Sequence, residues 1–217
     1  MLVIVFVTAA LTRESAPEAA VGPVAEPAPS VTSEAPVPPP RLAVIGDSWA
    51  VPSGTDLVRG SFPTETALAA GMTLEVFAGA GTGYTTARDP YLGRVPAVVA
   101  SAPDVVLVQG STNDKGSREG IQLAATGVFT ALREQLPAAR IYAVGPAMTP
   151  GATLQDVTDA RDGVAAAAAQ VGVTFLDPLA EAWLPVDGDI DLWGDEFHLN
   201  KPGHRQFAQN IVARLAA

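Results

Sequence analysis

The stretch "RLAVIGDSWAV", residues 41–51, opens on a run of apolar residues, Leu42 to Ile45, and then closes on Gly46, Asp47 and Ser48. Four consecutive apolar residues with two β-branched members read as a strand buried on both faces. An ordinary connection would follow such a strand with a plain turn. Here a small residue, a carboxylate and a hydroxyl stand together at the strand's C-terminal edge, which in open α/β sheets is where ligands bind.

Working outward, the same kind of short run recurs as "TLEVF" (73–77), "DVVLVQ" (104–109), "RIYAVG" (140–145) and "VTFLD" (173–177). Longer, Ala-rich stretches between them predict helices near 64–70, 94–101, 117–136, 153–170 and 201–216. Strands of this length alternating with helices predict a three-layer α/β/α sandwich around a five-stranded parallel sheet. Punctuation agrees with that reading. Pro103 precedes the third strand, Pro137 stops the long helix, and Asn200 is placed to cap the last helix, with Pro202 in its first turn.

The chain of 217 residues is 48% hydrophobic, enough for one well-buried domain, expected over residues 41–217. Its 23 acidic residues outnumber 13 basic ones, for a net charge of −10, which argues against nucleic acid as a partner. The absence of cysteine excludes disulfides, thiolate zinc sites, a cysteine nucleophile and a lipidated cysteine anchor. Residues 1–13 form an apolar leader, "MLVIVFVTAALTR", shorter than the roughly 20 residues of a spanning helix. It reads as a signal peptide or anchor remnant, although no Lys or Arg precedes the apolar run. Residues 14–40 carry eight prolines and no aromatic residue, the composition of a disordered linker. Together these segments predict an extracytoplasmic domain, secreted or tethered to a membrane or wall through residues 1–40.

Chemistry concentrates in a few loops. Both histidines of the chain, His198 and His204, fall in "DEFHLNKPGH", residues 195–204. The three-residue spacing from Asp195 to His198 allows the carboxylate to accept from one ring nitrogen and leave the other free as a base. With Ser48 at the end of the first strand, these residues make a candidate nucleophile, base and orienting acid. A strained Gly-x-Ser-x-Gly elbow is excluded, because Ala50 occupies the last glycine position. Asn113 in "GSTND" offers a side-chain amide to a developing oxyanion, and the glycines of "AGAGTGY" (78–84) allow a backbone N–H to reach the same place. That glycine run is not a dinucleotide loop: Tyr84 stands where the third glycine would be, and the loop follows the second strand. The alternating aspartates of "DGDID" (187–191) lack the glycine and glutamate positions of an EF-hand, so no metal is expected, and no cofactor.

The blocks "GDSW", "AGAGTGYTT", "GSTND" and "DEFHLNKPGH", in this order, resemble those of the SGNH hydrolases, the GDSL-type esterases and lipases. The resemblance spans nearly all of residues 41–217 and is sharpest in the last block, where Asn200 and Gly203 follow the Asp-x-x-His at the family's spacing. It implies a flavodoxin-like SGNH fold, with Ser48 as nucleophile, His198 as base and Asp195 as its partner. It also implies an oxyanion hole built from the Ser48 N–H, a second-block glycine and the Asn113 side chain. The family's Asn at the second strand end is replaced by Ala78; counting back from Thr85 and Thr86 favours Gly83 as the glycine donor, with Gly81 as the alternative.

The expected activity is hydrolysis of carboxylic esters through an acyl-enzyme. Without a long insertion to serve as a lid, the expectation is short acyl groups, such as acetyl on a cell-wall or extracellular polysaccharide. The alternatives are a lipase or thioesterase of the same family, or a non-catalytic carbohydrate-binding domain on the same fold. Trp49, Trp183 and Trp193 lie near the catalytic blocks in sequence and suit either sugar stacking or core packing.

Overall fold

A computed structural model describes residues 37–51, 60–110, 112–187 and 191–216. The leader and most of the linker, up to residue 36, and residues 188–190 of the acidic loop lie outside the described residues. Five strands form the sheet: β1 (Arg41–Gly46), β2 (Thr73–Ala78), β3 (Val105–Gln109), β4 (Arg140–Val144) and β5 (Thr174–Leu176). All neighbouring pairs are parallel, in the order β2-β1-β3-β4-β5. The helices are α1 (Phe62–Ala70), α2 (Val95–Ala100), α3 (Arg118–Gln135), α4 (Leu154–Val171) and α5 (Lys201–Leu215), with a 3-10 turn at Tyr91–Arg94 leading into α2. The expected strands and helices are all present, with ends differing by a few residues.

The apolar strands are continuous because both faces of the sheet are covered. Along β1, Ala43 and Ile45 face the layer that contains α2, α3 and α4, whereas Leu42 and Val44 face that of α1 and α5. Along β3, Val106 and Val108 alternate in the same way with Val105 and Leu107. Each face thus receives every second side chain of a strand. Phe129 and Leu132 fill one core, Phe62, Phe207 and Ile211 the other, and all five are fully buried.

The strand order fixes where a ligand can sit. After β1 the chain moves outward to β2 and then returns past β1 to β3, so the connections leaving β1 and β3 diverge and open a crevice at the sheet's C-terminal edge. Ser48 follows β1 and Asn113 follows β3, at this crevice. The third contributor arrives with α5. Asn200 caps that helix by accepting from the Gly203 N–H at 3.0 Å, a contact worth about 1 kcal/mol. Gly203 is required there, because a Cβ would lie 2.1 Å from the Leu192 carbonyl oxygen.

Candidate active site

The chain leaves β1 in a tight turn held by Asp47. Its Oδ1 accepts from the Trp49 N–H at 2.8 Å, and its carbonyl accepts from the N–H groups of Ala50 (3.1 Å) and Val51 (3.2 Å). Gln109, the last residue of β3, braces the turn from the neighbouring strand by donating to Asp47 Oδ2 at 3.4 Å. These bonds leave Ser48 at the tip of the turn, half-buried at the mouth of the crevice.

The loop before α5 presents the other two members. Trp193 and Leu199 pair as an isolated antiparallel bridge, and between them the Gly194 N–H donates to the His198 carbonyl at 2.8 Å. Within this narrow loop Asp195 Oδ1 accepts from the N–H groups of Phe197 and His198, both at 2.7 Å. The Phe197 N–H, then the His198 ring and the His198 N–H, hold the carboxyl down at about 2. His198 Nδ1 lies 2.9 Å from Asp195 Oδ2, and His198 Nε2 lies 3.1 Å from Ser48 Oγ. An ionised carboxylate only accepts, so it selects the tautomer with the proton on Nδ1 and leaves Nε2 as the acceptor for the Ser48 hydroxyl. Ser48, His198 and Asp195, chosen from the sequence, thus form one continuous hydrogen-bonded chain.

Asn113 lines the same cleft as Ser48, with its Nδ2 donating to the Thr82 carbonyl at 3.0 Å. That contact decides what the second-block loop can offer. Thr82 C=O and Gly83 N–H belong to one trans peptide unit and point in opposite directions. The loop therefore turns an oxygen toward Asn113, and the Gly83 N–H is donated to Thr86 Oγ1 at 3.0 Å. The structure does not bring Gly83 to the crevice, contrary to the sequence count. Gly81 lines it instead, in a left-handed conformation with φ of 70°, and its N–H meets no acceptor among the described residues. The decisive feature, the Thr86 hydroxyl reaching back three residues, is a loop contact that spacing does not encode.

Two buried polar residues hold these loops in place, and neither was singled out by the sequence. Arg94, almost fully buried, donates to the carbonyls of Gly46 (2.7 Å) and Phe77 (3.0 Å), to Thr82 Oγ1 (2.9 Å) and to Asp89 (2.7 Å). It thereby ties the ends of β1 and β2 to the second-block loop. Asp114 accepts from the Thr85 N–H (2.7 Å) and hydroxyl (3.0 Å), joining the second and third blocks, and burial pushes its carboxyl up. A lone arginine in the otherwise apolar "YLGRVPAVVA" was the only signal for the first.

Trp49 and Trp183 are buried and pack edge-on against Phe207, so most of each ring belongs to the core, with an edge of Trp49 left at the wall of the site; half-buried Trp193 lies edge-on to Trp49. His204 projects from the first turn of α5 into a hollow of about 370 Å³ shared with Ser48, Trp49, Val51 and Leu199. Burial, and secondarily the nearby His198, holds its imidazole down at about 4. A larger cleft, about 660 Å³, runs from Ser48 and His198 past Gly81 and Asn113 to Lys115 and Asp156.

Residues 44–206, about three quarters of the chain, match the model of the GDSL-like Lipase/Acylhydrolase family. The chain belongs to this family. A GDSL lipase of Mycobacterium tuberculosis is 32% identical over 127 residues, which are 54% of this chain and 53% of that protein. The chain thus matches only about half the length of that relative. Among solved structures, a protein from Lactobacillus plantarum superposes with a TM-score of 0.69 at 18% identity, covering 83% of this chain and 98% of that one. A family two carbohydrate esterase from Clostridium thermocellum, in complex with cellohexaose, gives a TM-score of 0.66 at 18% identity, covering 84% and 65%. At these identities the structures speak for a shared SGNH fold.

Proposed function

We propose that this member of the GDSL-like family is a serine esterase that removes short acyl groups, acetyl foremost, from a hydroxyl-rich polymer such as a polysaccharide. One observation carries the reading: the hydrogen-bonded chain from Asp195 through His198 to Ser48 opens into a cleft flanked by amide donors. Ser48 Oγ attacks the ester carbonyl as His198 Nε2 takes its proton, and Asp195 stabilises the imidazolium that forms. The Ser48 and Gly81 N–H groups and the Asn113 amide receive the oxyanion. Collapse of the tetrahedral intermediate breaks the bond to the alcohol oxygen, which takes the proton from His198. A water molecule, deprotonated by His198, then attacks the acyl-Ser48; the acyl–Oγ bond breaks, Ser48 Oγ takes the proton back from His198, and the acid leaves.

The test is a fluorophosphonate probe on the full chain, followed by a panel of p-nitrophenyl esters of increasing acyl length. Labelling that disappears in Ser48→Ala, with acetate turned over fastest, is the expected result. A label that persists in that variant removes Ser48 from the role. The hollow lined by Trp49, Val51 and Leu199 favours a second reading, a lipase or thioesterase for longer chains, and a preference for octanoate over acetate selects it. The same proposal puts the domain outside the cytoplasm on a tether of residues 1–40, supported by their apolar and proline-rich composition. Cell fractionation with and without those residues tests it.

A further inference from the structure

The larger cleft carries groups that the chemistry at Ser48 does not use. Beyond Asn113, Lys115 Nζ and Asp156 Oδ2 meet at 3.2 Å, both well exposed to the cleft. Asp156 is fixed in the first turn of α4, where its N–H donates to Thr153 Oγ1 at 3.2 Å and its carboxyl is held down by Thr153 and Lys115. Phe197, immediately before His198, contributes an aromatic ring that is 44% exposed although large and apolar. The ring rests on the backbone of Gly151, where a Cβ would come within 2.5 Å of it, and the Gly151 N–H donates to the Glu196 carbonyl at 2.8 Å.

We infer that Lys115, Asp156 and Phe197 form a subsite for the alcohol half of the ester, and that this alcohol is a glycosyl unit. The inference rests on the esterase reading of Ser48 and deepens it. A sugar ring offers an apolar C–H face and a rim of hydroxyls, each able to donate and accept. An exposed aromatic ring matches the face. An ammonium with donors to spare and a carboxylate with lone pairs to spare match the rim. An alkyl chain in the same place would strip water from an ion pair and return no hydrogen bond, so the cleft discriminates against lipid alcohols. The acyl half is left to the apolar hollow beside Val51 and Leu199. Because His198 borders both spaces, it stands where the ester oxygen joining the two halves must take its proton.

An exposed ion pair adds little to the stability of a fold, so its removal reads out on the substrate. The experiment compares kcat/KM for a partially acetylated cello-oligosaccharide with that for p-nitrophenyl acetate, whose alcohol has no hydroxyl rim. The quantity read is the ratio of the two. Lys115→Met and Asp156→Asn are each expected to lower it about tenfold, the loss of a charge-assisted hydrogen bond to the substrate. Phe197→Leu, which keeps the backbone bonds of residue 197, is expected to lower it several-fold. If the unaltered chain deacetylates the oligosaccharide and all three variants keep the ratio within twofold, the subsite is overturned and the esterase stands. If the unaltered chain hydrolyses p-nitrophenyl acetate and leaves the oligosaccharide untouched, the glycosyl assignment is overturned. If neither is hydrolysed and Ser48 takes no fluorophosphonate, the esterase reading falls and the subsite with it.

Discussion

The indole N–H of Trp49 donates to the carbonyl oxygen of Phe197 at 2.9 Å, so the residue after the proposed nucleophile is bonded to the residue before the proposed base. Ser48 and His198 come from opposite ends of the domain, separated by 150 positions. Their 3.1 Å contact depends on two loops keeping a fixed spacing, and the indole is a rigid spacer between them. Its ring is locked in turn by edge-on packing with Phe207 at 5.5 Å between centroids.

Trp49→Phe keeps an aromatic ring in the core while removing the donor and part of the indole's packing volume. The variant is expected to fold and to hold KM for p-nitrophenyl acetate within a few-fold. Its kcat should fall about tenfold or more, because an ångström of misplacement between reacting groups can cost about 10² in rate. The rate of fluorophosphonate labelling should fall in parallel. Unchanged kcat with a lowered melting temperature would make Trp49 a packing residue only.

Asn113→Ala tests the oxyanion side. A preorganised amide donor is worth roughly 2.7–4 kcal/mol in the transition state, about 10²–10³ in kcat. Because the interaction strengthens as charge develops on the oxygen, KM should stay within a few-fold. A large rise in KM at constant kcat would make Asn113 a substrate-binding residue, and would take the amide out of the proposed hole.

The parts of this site that were legible in the sequence are those that a local rule dictates. The strand before Gly46 follows from its apolar run, the Asp195 to His198 contact from a three-residue spacing, and the Asn200 cap from the residues that open α5. What was not legible depends on contacts made only after folding. Counting along the chain favours Gly83 over Gly81, and the folded loop reverses that order because Thr86 and Asn113 hold the Thr82–Gly83 peptide from both sides. Arg94 reads as an isolated charge until the ends of β1 and β2 supply the carbonyls that surround it. Lys115 and Asp156, far apart in the chain, meet because α4 begins beside the loop that follows β3.

Arg94 should matter for folding more than its single ion pair suggests. Arg94→Met keeps much of the side-chain volume but takes the guanidinium donor from the Phe77 carbonyl and Thr82, and leaves the Gly46 carbonyl with the longer bond from the Gly79 N–H at 3.3 Å. Stripping the partner from buried polar groups costs about 1–3 kcal/mol for each. Asp89 is half-exposed, so water recovers part of that loss, and a net destabilisation of about 3 kcal/mol is expected. Urea unfolding of the variant measures it as a lowered midpoint at unchanged m-value. A loss below about 0.5 kcal/mol would show that the loops hold without the guanidinium.

His204 predicts how stability depends on pH. Its imidazole falls from the usual 6.5 to about 4 because burial disfavours the charged ring, with His198 adding to the effect. Between those values the unfolded chain binds a proton that the folded chain refuses, so stability decreases as pH falls from about 6.5 and levels off near 4. The loss from this group is at most on the order of 3 kcal/mol. Asp195, held down at about 2, titrates below that window; Asp114, pushed up by burial, works in the opposite direction at its acid end. Comparison with His204→Asn isolates the histidine, since both carboxylates are common to the two proteins. Urea midpoints from pH 7 to pH 4 should fall more steeply for the unaltered chain than for the variant. Parallel curves would mean that the ring of His204 takes up its proton as easily in the folded chain as in the unfolded one.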